Sequence, residues 1–145
     1  MNAKSSSLQK YIDVLGEAEA IKAIQNANSR DTPGNILNVT NPIIRFMQHT
    51  TYIKNNKLYT RQDMNVPGED YSLFKITSSI LNDLREELGA NISYKNQLTQ
   101  KILHNQAGPM LAAFNEILAG AYYKSLGIKV GLNSSEQEGA ADIDL

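Results

Sequence analysis

The sequence contains no cysteine and no tryptophan among its 145 residues. Without cysteine, a disulfide scaffold, a cysteine-based zinc site and a thiol nucleophile are excluded. Long apolar runs are missing too: no window approaches the roughly 18 apolar residues that a membrane span needs. The polar N-terminus does not resemble a secretory signal. We therefore expect a soluble, cytoplasmic protein with no membrane partner.

A strong charge of either sign is also missing. Fourteen lysines and arginines nearly balance fifteen acids, which gives a formal net charge of −1. A protein that binds DNA through electrostatics alone is usually more basic. Because the active site of a nuclease is itself acidic, this balance neither supports nor excludes a nucleic-acid partner.

Helical periodicity dominates the first part of the chain. Apolar residues at helical spacing on both sides of Gly16 predict one kinked helix or two short ones. Asn41 followed by Pro42 is typical of a capped helix start. The clearest helix is predicted for residues 70–88, and we expect Gly89 to take the left-handed conformation that ends it. A weaker helix is predicted for residues 93–106.

A basic segment, residues 52–61, interrupts the helices. It contains three cations, two tyrosines and no acid, and the asparagines at 55–56 suit the turn of a small hairpin. Lys54, Lys57 and Arg61 would contact a nucleic-acid backbone, with the tyrosine rings available for stacking. The alternative is a solvated hairpin that binds nothing.

A helix predicted for residues 109–126 is unusual because both of its sides are apolar or small. One broad side carries Met110, Phe114, Ile117, Leu118, Ala121 and Tyr122, and the other carries Ala112, Ala113, Ala119, Gly120 and Tyr123. Glu116 stands among the small residues, where a charge is costly unless something pairs with it. It is either a metal ligand or a buried acid paired with a lysine or a backbone amide.

Two alternating segments follow this helix after Gly127. Residues 128–132 and 140–145 alternate as strands do, and a polar loop separates them, which predicts an antiparallel hairpin. Side chains of a strand point to opposite faces with a period of two, so Asp142 and Asp144 share one face. Mg²⁺ prefers oxygen ligands, usually one or two carboxylates with water and substrate phosphate. Asp142 on a strand and Glu116 on a packed helix could both reach one ion.

This C-terminal unit resembles the start of the PD-(D/E)xK nuclease core, which many type II restriction enzymes share. In that family a helix carries an acid, a strand follows, and the next strand carries the metal-binding Asp after a Gly. Here Glu116 matches the helix acid, and residues 139–145, Gly-Ala-Ala-Asp-Ile-Asp-Leu, match the strand. The resemblance implies Glu116 and Asp142 as catalytic residues, and these two with Asp144 as Mg²⁺ ligands. It implies a DNA endonuclease of a restriction or defence system.

The sequence departs from the family in one respect. The family places (D/E)-x-K on the following strand, and the sequence ends at Leu145 without it. We therefore expect a fragment of a longer nuclease that is inactive as it stands. The predicted fold is α+β: a mostly helical region over residues 1–107, then a helix and β-hairpin over residues 108–145 that begin a restriction-endonuclease-like core. The helical region would contact DNA or form a homodimer.

Two other interpretations remain open at this point. The chain could be a non-enzymatic helical module for protein or nucleic-acid interaction. It could also be a nuclease-like domain that has lost catalysis and only binds nucleic acid. In both cases Asp142 would be a solvated acid on the outer face of a hairpin.

Overall fold

The computed structural model describes residues 6–30, 39–61, 68–132 and 143–144. The helices are α1 (Ser6–Leu15), α2 (Glu17–Arg30), α3 (Pro42–Thr50), α4 (Gly68–Asp83), α5 (Arg85–Ala90), α6 (Ile92–Ile102) and α7 (Ala107–Ser125). The strands are β1 (Thr51–Lys54), β2 (Lys57–Thr60), β3 (Gly131–Leu132) and β4 (Ile143–Asp144). They form two antiparallel two-stranded sheets, β1–β2 and β3–β4. The chain is thus a mixed α+β structure in which helix predominates, as predicted.

Gly16 separates the first two helices. It lies at φ +102°, a left-handed conformation that L side chains rarely adopt. The chain therefore turns between α1 and α2 instead of continuing as one kinked helix. None of the helices in the described ranges is both long and apolar enough to cross a membrane.

Asn41 begins α3 as the sequence predicts. Its side-chain oxygen accepts hydrogen bonds from the backbone N–H groups of Ile43 at 2.9 Å and Ile44 at 3.4 Å. Its amide nitrogen donates to the carbonyl oxygens of Ile102 and His104, both at 2.7 Å. One fully buried side chain thus caps α3 and ties it to the C-terminal end of α6.

The β1–β2 hairpin, with a turn at residues 55–56, is confirmed. Both turn asparagines have positive φ, +52° for Asn55 and +59° for Asn56, as a type I′ turn requires. The hairpin's inner face packs against the helices through Leu58, which is fully buried, and Ile53. On the edge of β2, the Glu17 carboxylate accepts a hydrogen bond from the Leu58 N–H at 2.7 Å.

The predicted helix over residues 70–88 is divided in two at Leu84. Its apolar stripe is nevertheless buried on one side, through Thr77, Ile80, Leu81, Leu84 and Leu88. The expectation for Gly89 was wrong: it lies inside α5 without a positive φ, and α5 continues to Ala90. Asn91 follows directly and caps α6, so no residue between the two helices adopts a left-handed conformation.

Aromatic rings join α1, α3 and α4 in the core. Tyr11 stacks on Phe74 with ring centroids 4.5 Å apart, and Phe46 stacks on Phe74 at 4.4 Å. The Tyr11 hydroxyl donates to the Phe74 carbonyl oxygen at 3.2 Å. Burial raises the pKa of the Tyr11 hydroxyl well above its ordinary value, because the core disfavours the phenolate.

The buried face of α7 takes residues from both of the sides distinguished in the sequence. Its buried residues are Met110, Ala113, Ile117 and Gly120, which lie along the border between the two predicted sides. Leu111, Leu118 and Tyr122 form an exposed stripe instead, with exposed fractions of 45%, 42% and 59%. The helix packs on α4 and α6, and one bulky side stays exposed.

Candidate functional site

Residues at the first turn of α6 contact both β3 and α7, and we call this region the junction. Asn91 caps this helix: its side-chain oxygen accepts from the Tyr94 N–H at 2.9 Å. The Asn91 amide nitrogen also donates to the carbonyl oxygen of Leu132 on β3 at 2.5 Å. One side chain therefore starts α6 and holds β3 against it.

Glu116 also contacts the first turn of α6. It is partly buried on α7, and the hydroxyl of Tyr94 donates a hydrogen bond to its Oε1. Tyr94 itself is buried and shares a face of α6 with Leu98 and Ile102. The Tyr94 phenol is thus one hydrogen-bond donor to the Glu116 carboxylate. A hydroxyl that holds a carboxylate in place is the kind of outer partner that orients metal ligands.

The C-terminal ribbon, β3–β4, brings the acid-bearing strand back beside β3. The pairing is antiparallel, with Gly131 opposite Asp144 and Leu132 opposite Ile143. The hairpin predicted after α7 is thus present, although β3 is shorter than the strand expected over residues 128–132. Asp142 lies outside the described residues, and of Asp144 only the backbone is described. Glu116 and β3 are brought to the same turn of α6.

The end of α7 is fixed by Lys124. Its Nζ donates to the carbonyl oxygen of Asp83 at 2.6 Å and to Oε1 of Glu87 at 3.0 Å. The lysine therefore fastens α7 to the junction of α4 and α5. Gly127, at φ +82°, then ends the helix as predicted and directs the chain towards β3. These contacts fix the direction in which the ribbon leaves α7.

Within the described parts of the chain, no group of three His, Asp or Glu side chains could hold a metal ion. His49 and His104 are exposed, and His104 Nδ1 accepts a local bond from the Gln106 N–H at 3.0 Å. Both histidines are therefore surface residues.

The three cations predicted to bind nucleic acid lie on the β1–β2 hairpin and are exposed. Lys54 and Lys57 are directly opposite each other beside the turn. Arg61 follows β2, and its Nε donates to the carbonyl oxygen of Thr51 at 3.0 Å. The structure therefore brings these cations together on one ribbon, apart in the chain from the Glu116 junction.

An open groove of about 650 Å³ lies between α2 and the C-terminal end of α6. Side chains that line it include Glu19, Lys22, Asn26 and Gln100. Neither Glu116 nor the β1–β2 hairpin contributes to it.

Two residues of the junction were not anticipated from the sequence. Asn91 could have been found from its position just before an apolar-periodic segment, where asparagine caps a helix. Tyr94 could have been placed on the inner face of α6, because it precedes Leu98 and Ile102 by one and two turns. Its contact with Glu116, 22 positions further on, has no local signal.

No protein-family model, no curated protein and no solved structure matches this chain. Its function is therefore inferred from its own residues and their arrangement.

Proposed function

We propose that this chain provides the metal-binding part of a Mg²⁺-dependent DNA endonuclease of the PD-(D/E)xK type, with Glu116 and Asp142 as ligands. One observation carries the proposal. The helix with the isolated acid leads into an antiparallel ribbon, and both the acid and the ribbon are held by the same turn of α6. Asp142 immediately precedes Ile143, the first residue of β4.

The chemistry of the donor set supports Mg²⁺. Carboxylate oxygens are hard ligands that suit Mg²⁺, and the chain has no cysteine to favour a softer metal. Gly131 faces Asp144 across the ribbon and contributes no side chain to either face. A Mg²⁺ ion held here would activate water and stabilise the charge that builds on a phosphodiester.

The protein's own residues would have distinct parts in this site. Glu116 and Asp142 would bind the ion, and Asp144 is a third candidate from the same strand face. Tyr94 would position Glu116, and Asn91 would position the ribbon that carries the two aspartates. The (D/E)-x-K strand of the family is not among residues 1–145, so metal binding is the property to test in this chain.

The test is a titration of the full chain with Mn²⁺, followed by the electron paramagnetic resonance signal of the free ion. We expect one site in the wild type, from which Mg²⁺ competes the Mn²⁺ away. Asp142→Asn and Glu116→Gln should each weaken binding at least about tenfold, because each removes a charged oxygen ligand. The control is Glu19→Gln, which makes the same change of charge at an exposed position on α2.

Two results would contradict the proposal. One is an Asp142→Asn isotherm that overlays the wild type. The other is an equal loss in Glu19→Gln, which would show that only overall charge attracts the ion. Far-UV circular dichroism of each variant verifies that the helices are retained.

A non-enzymatic interaction module is the second candidate. The exposed stripe of Leu111, Leu118 and Tyr122 favours it, because contiguous apolar surface often marks a contact with another protein. Such a module requires no divalent-cation site, so the Mn²⁺ titration separates the two candidates.

A further inference from the structure

The outward face of the β1–β2 hairpin carries one pair of tyrosines and one pair of lysines. The proposed metal site does not include them. Tyr52 pairs with Tyr59, and Lys54 pairs with Lys57. Because side chains alternate along a strand, these four share one face, and Ile53 and Leu58 share the other. The second face packs into the core. The ribbon is therefore anchored by its apolar side and shows its tyrosines and lysines outward.

The charges on this outward face are unbalanced. Lys54 and Lys57 are exposed and directly opposite each other beside the turn, an arrangement that is unfavourable for like charges. Residues 51–61 contain no acid. Glu17 contacts the edge of β2, where its carboxylate accepts a hydrogen bond from the Leu58 N–H. An anion between the two lysines would relieve their repulsion.

Arg61 extends the basic surface to the base of the ribbon. Its backbone N–H donates to the Thr50 carbonyl oxygen at 2.6 Å, which continues the hydrogen-bond ladder beyond β2. Its Nε donates to the Thr51 carbonyl oxygen at 3.0 Å and fixes the guanidinium there. Cations therefore stand at both ends of the ribbon, with the tyrosines between them.

The tyrosines provide a flat surface between the cations. The rings of Tyr52 and Tyr59 stack with centroids 5.4 Å apart and an angle of 20° between their planes. Both side chains are partly exposed. A charged groove or ribbon with aromatic rings at intervals is how proteins bind single strands, since every base has a face that can stack.

We propose that the outward face of the β1–β2 hairpin binds single-stranded nucleic acid. Lys54, Lys57 and Arg61 contact phosphates, and the Tyr52–Tyr59 pair stacks against an unpaired base. The choice of a nucleic-acid partner rests on the proposed function, and this surface would hold the polynucleotide substrate. The residues involved are separate from Glu116 and Asp142, so the two proposals can fail independently.

The experiment measures binding of the full chain to a fluorescently labelled oligothymidylate by anisotropy, in EDTA and over a series of salt concentrations. EDTA removes any contribution from a divalent metal. We expect binding that weakens as salt rises. The Lys54→Gln/Lys57→Gln variant should reduce the slope of log affinity against log salt by about 1.4, from about 0.7 for each phosphate contact.

The matched control is Lys22→Gln/Lys75→Gln, which removes the same charge from exposed positions on α2 and α4. It should retain the wild-type slope. Tyr52→Leu should weaken binding about tenfold at every salt concentration, because a lost stacking contact does not depend on counterions.

Three outcomes would overturn the proposal. The first is no detectable binding of the oligonucleotide by the wild type at low salt. The second is an equal loss of slope in the control double variant. The third is equally tight binding of polyglutamate of the same charge, which would make the surface a general anion binder or a site for acidic proteins. A preference for duplex over single-stranded DNA would remove the stacking role of the tyrosines.

Discussion

Two parts of the molecule combine an asparagine-capped helix with a two-stranded antiparallel ribbon, and they secure the ribbon differently. In the first, α3 runs directly into β1, and a two-residue turn leads to β2. In the second, the strands β3 and β4 are separated by residues 133–142, and Asn91 reaches 41 positions ahead to hold β3. Neighbours in sequence thus specify the first ribbon, whereas distant contacts specify the second.

The two asparagines differ in their burial and in the elements that they join. Asn41 is fully buried and donates two hydrogen bonds to the end of α6, so it joins elements of the central core. Asn91 is partly buried and donates one hydrogen bond to the C-terminal ribbon. We therefore expect the first asparagine to support the whole fold and the second to support mainly the placement of β3.

Replacing each asparagine with aspartate gives the largest expected difference. Aspartate is an equally good helix cap, so only the donated hydrogen bonds are lost. Asn41→Asp places a carboxylate against two buried carbonyl oxygens and should lower the free energy of unfolding by about 4 kcal/mol. Asn91→Asp should lower it by about 1 kcal/mol. Urea denaturation followed by circular dichroism measures both.

Asn28→Asp is the matched control for this pair. It adds the same charge at an exposed position whose side-chain oxygen accepts a hydrogen bond from Gln48 in either form. Its stability should be close to that of the wild type. Equal losses in Asn41→Asp and Asn91→Asp would remove the distinction between the two regions.

Truncation of the buried leucine in each ribbon should give an intermediate effect. Leu58 is 0% exposed and Leu132 is 4% exposed, so both are anchors. Leu58→Ala should cost about 3 kcal/mol, because the fixed hairpin keeps the cavity open. Leu132→Ala should cost about 2 kcal/mol, since a two-residue strand can move to fill the space. The same urea experiment compares them, and a larger loss for Leu132→Ala would reverse the order.

The turn of the first ribbon should give the smallest effect, and in the opposite direction. Asn56→Gly should raise the free energy of unfolding by about 0.5 kcal/mol, because glycine adopts a positive φ without steric cost. Asn56→Ala should lower it by about 1 kcal/mol at the same position. Thermal denaturation of the two variants suffices, and a stabilising alanine would contradict the type I′ geometry.

The same contrast explains how much of the fold could be predicted from the sequence. The cap that Asn41 gives α3, the end of α7 at Gly127 and the turn at residues 55–56 depend on immediate neighbours, and the structure confirms all three. The helix break at Leu84 and the position of Gly89 inside α5 were not predicted. The apolar stripe through this region is continuous, so its periodicity gives no signal for a break at Leu84.

The candidate site was harder to predict for the same reason. The pattern of residues 109–126 identified an acid on a tightly packed helix, but not which side of that helix is buried. Apolar residues occur on every side of α7 itself, so periodicity could not identify the buried face. Leu118 and Tyr122 proved to be exposed. The contacts of Tyr94 with Glu116 and of Asn91 with Leu132 join segments that are distant in sequence.

The stacked tyrosines of the first ribbon have a practical consequence. The protein has seven tyrosines and no tryptophan, so tyrosine dominates its near-ultraviolet absorption. Two rings held 5.4 Å apart in a fixed chiral arrangement couple their electronic transitions. The hairpin pair thereby contributes to the near-ultraviolet circular dichroism, together with the Tyr122–Tyr123 pair, whose centroids lie 5.7 Å apart.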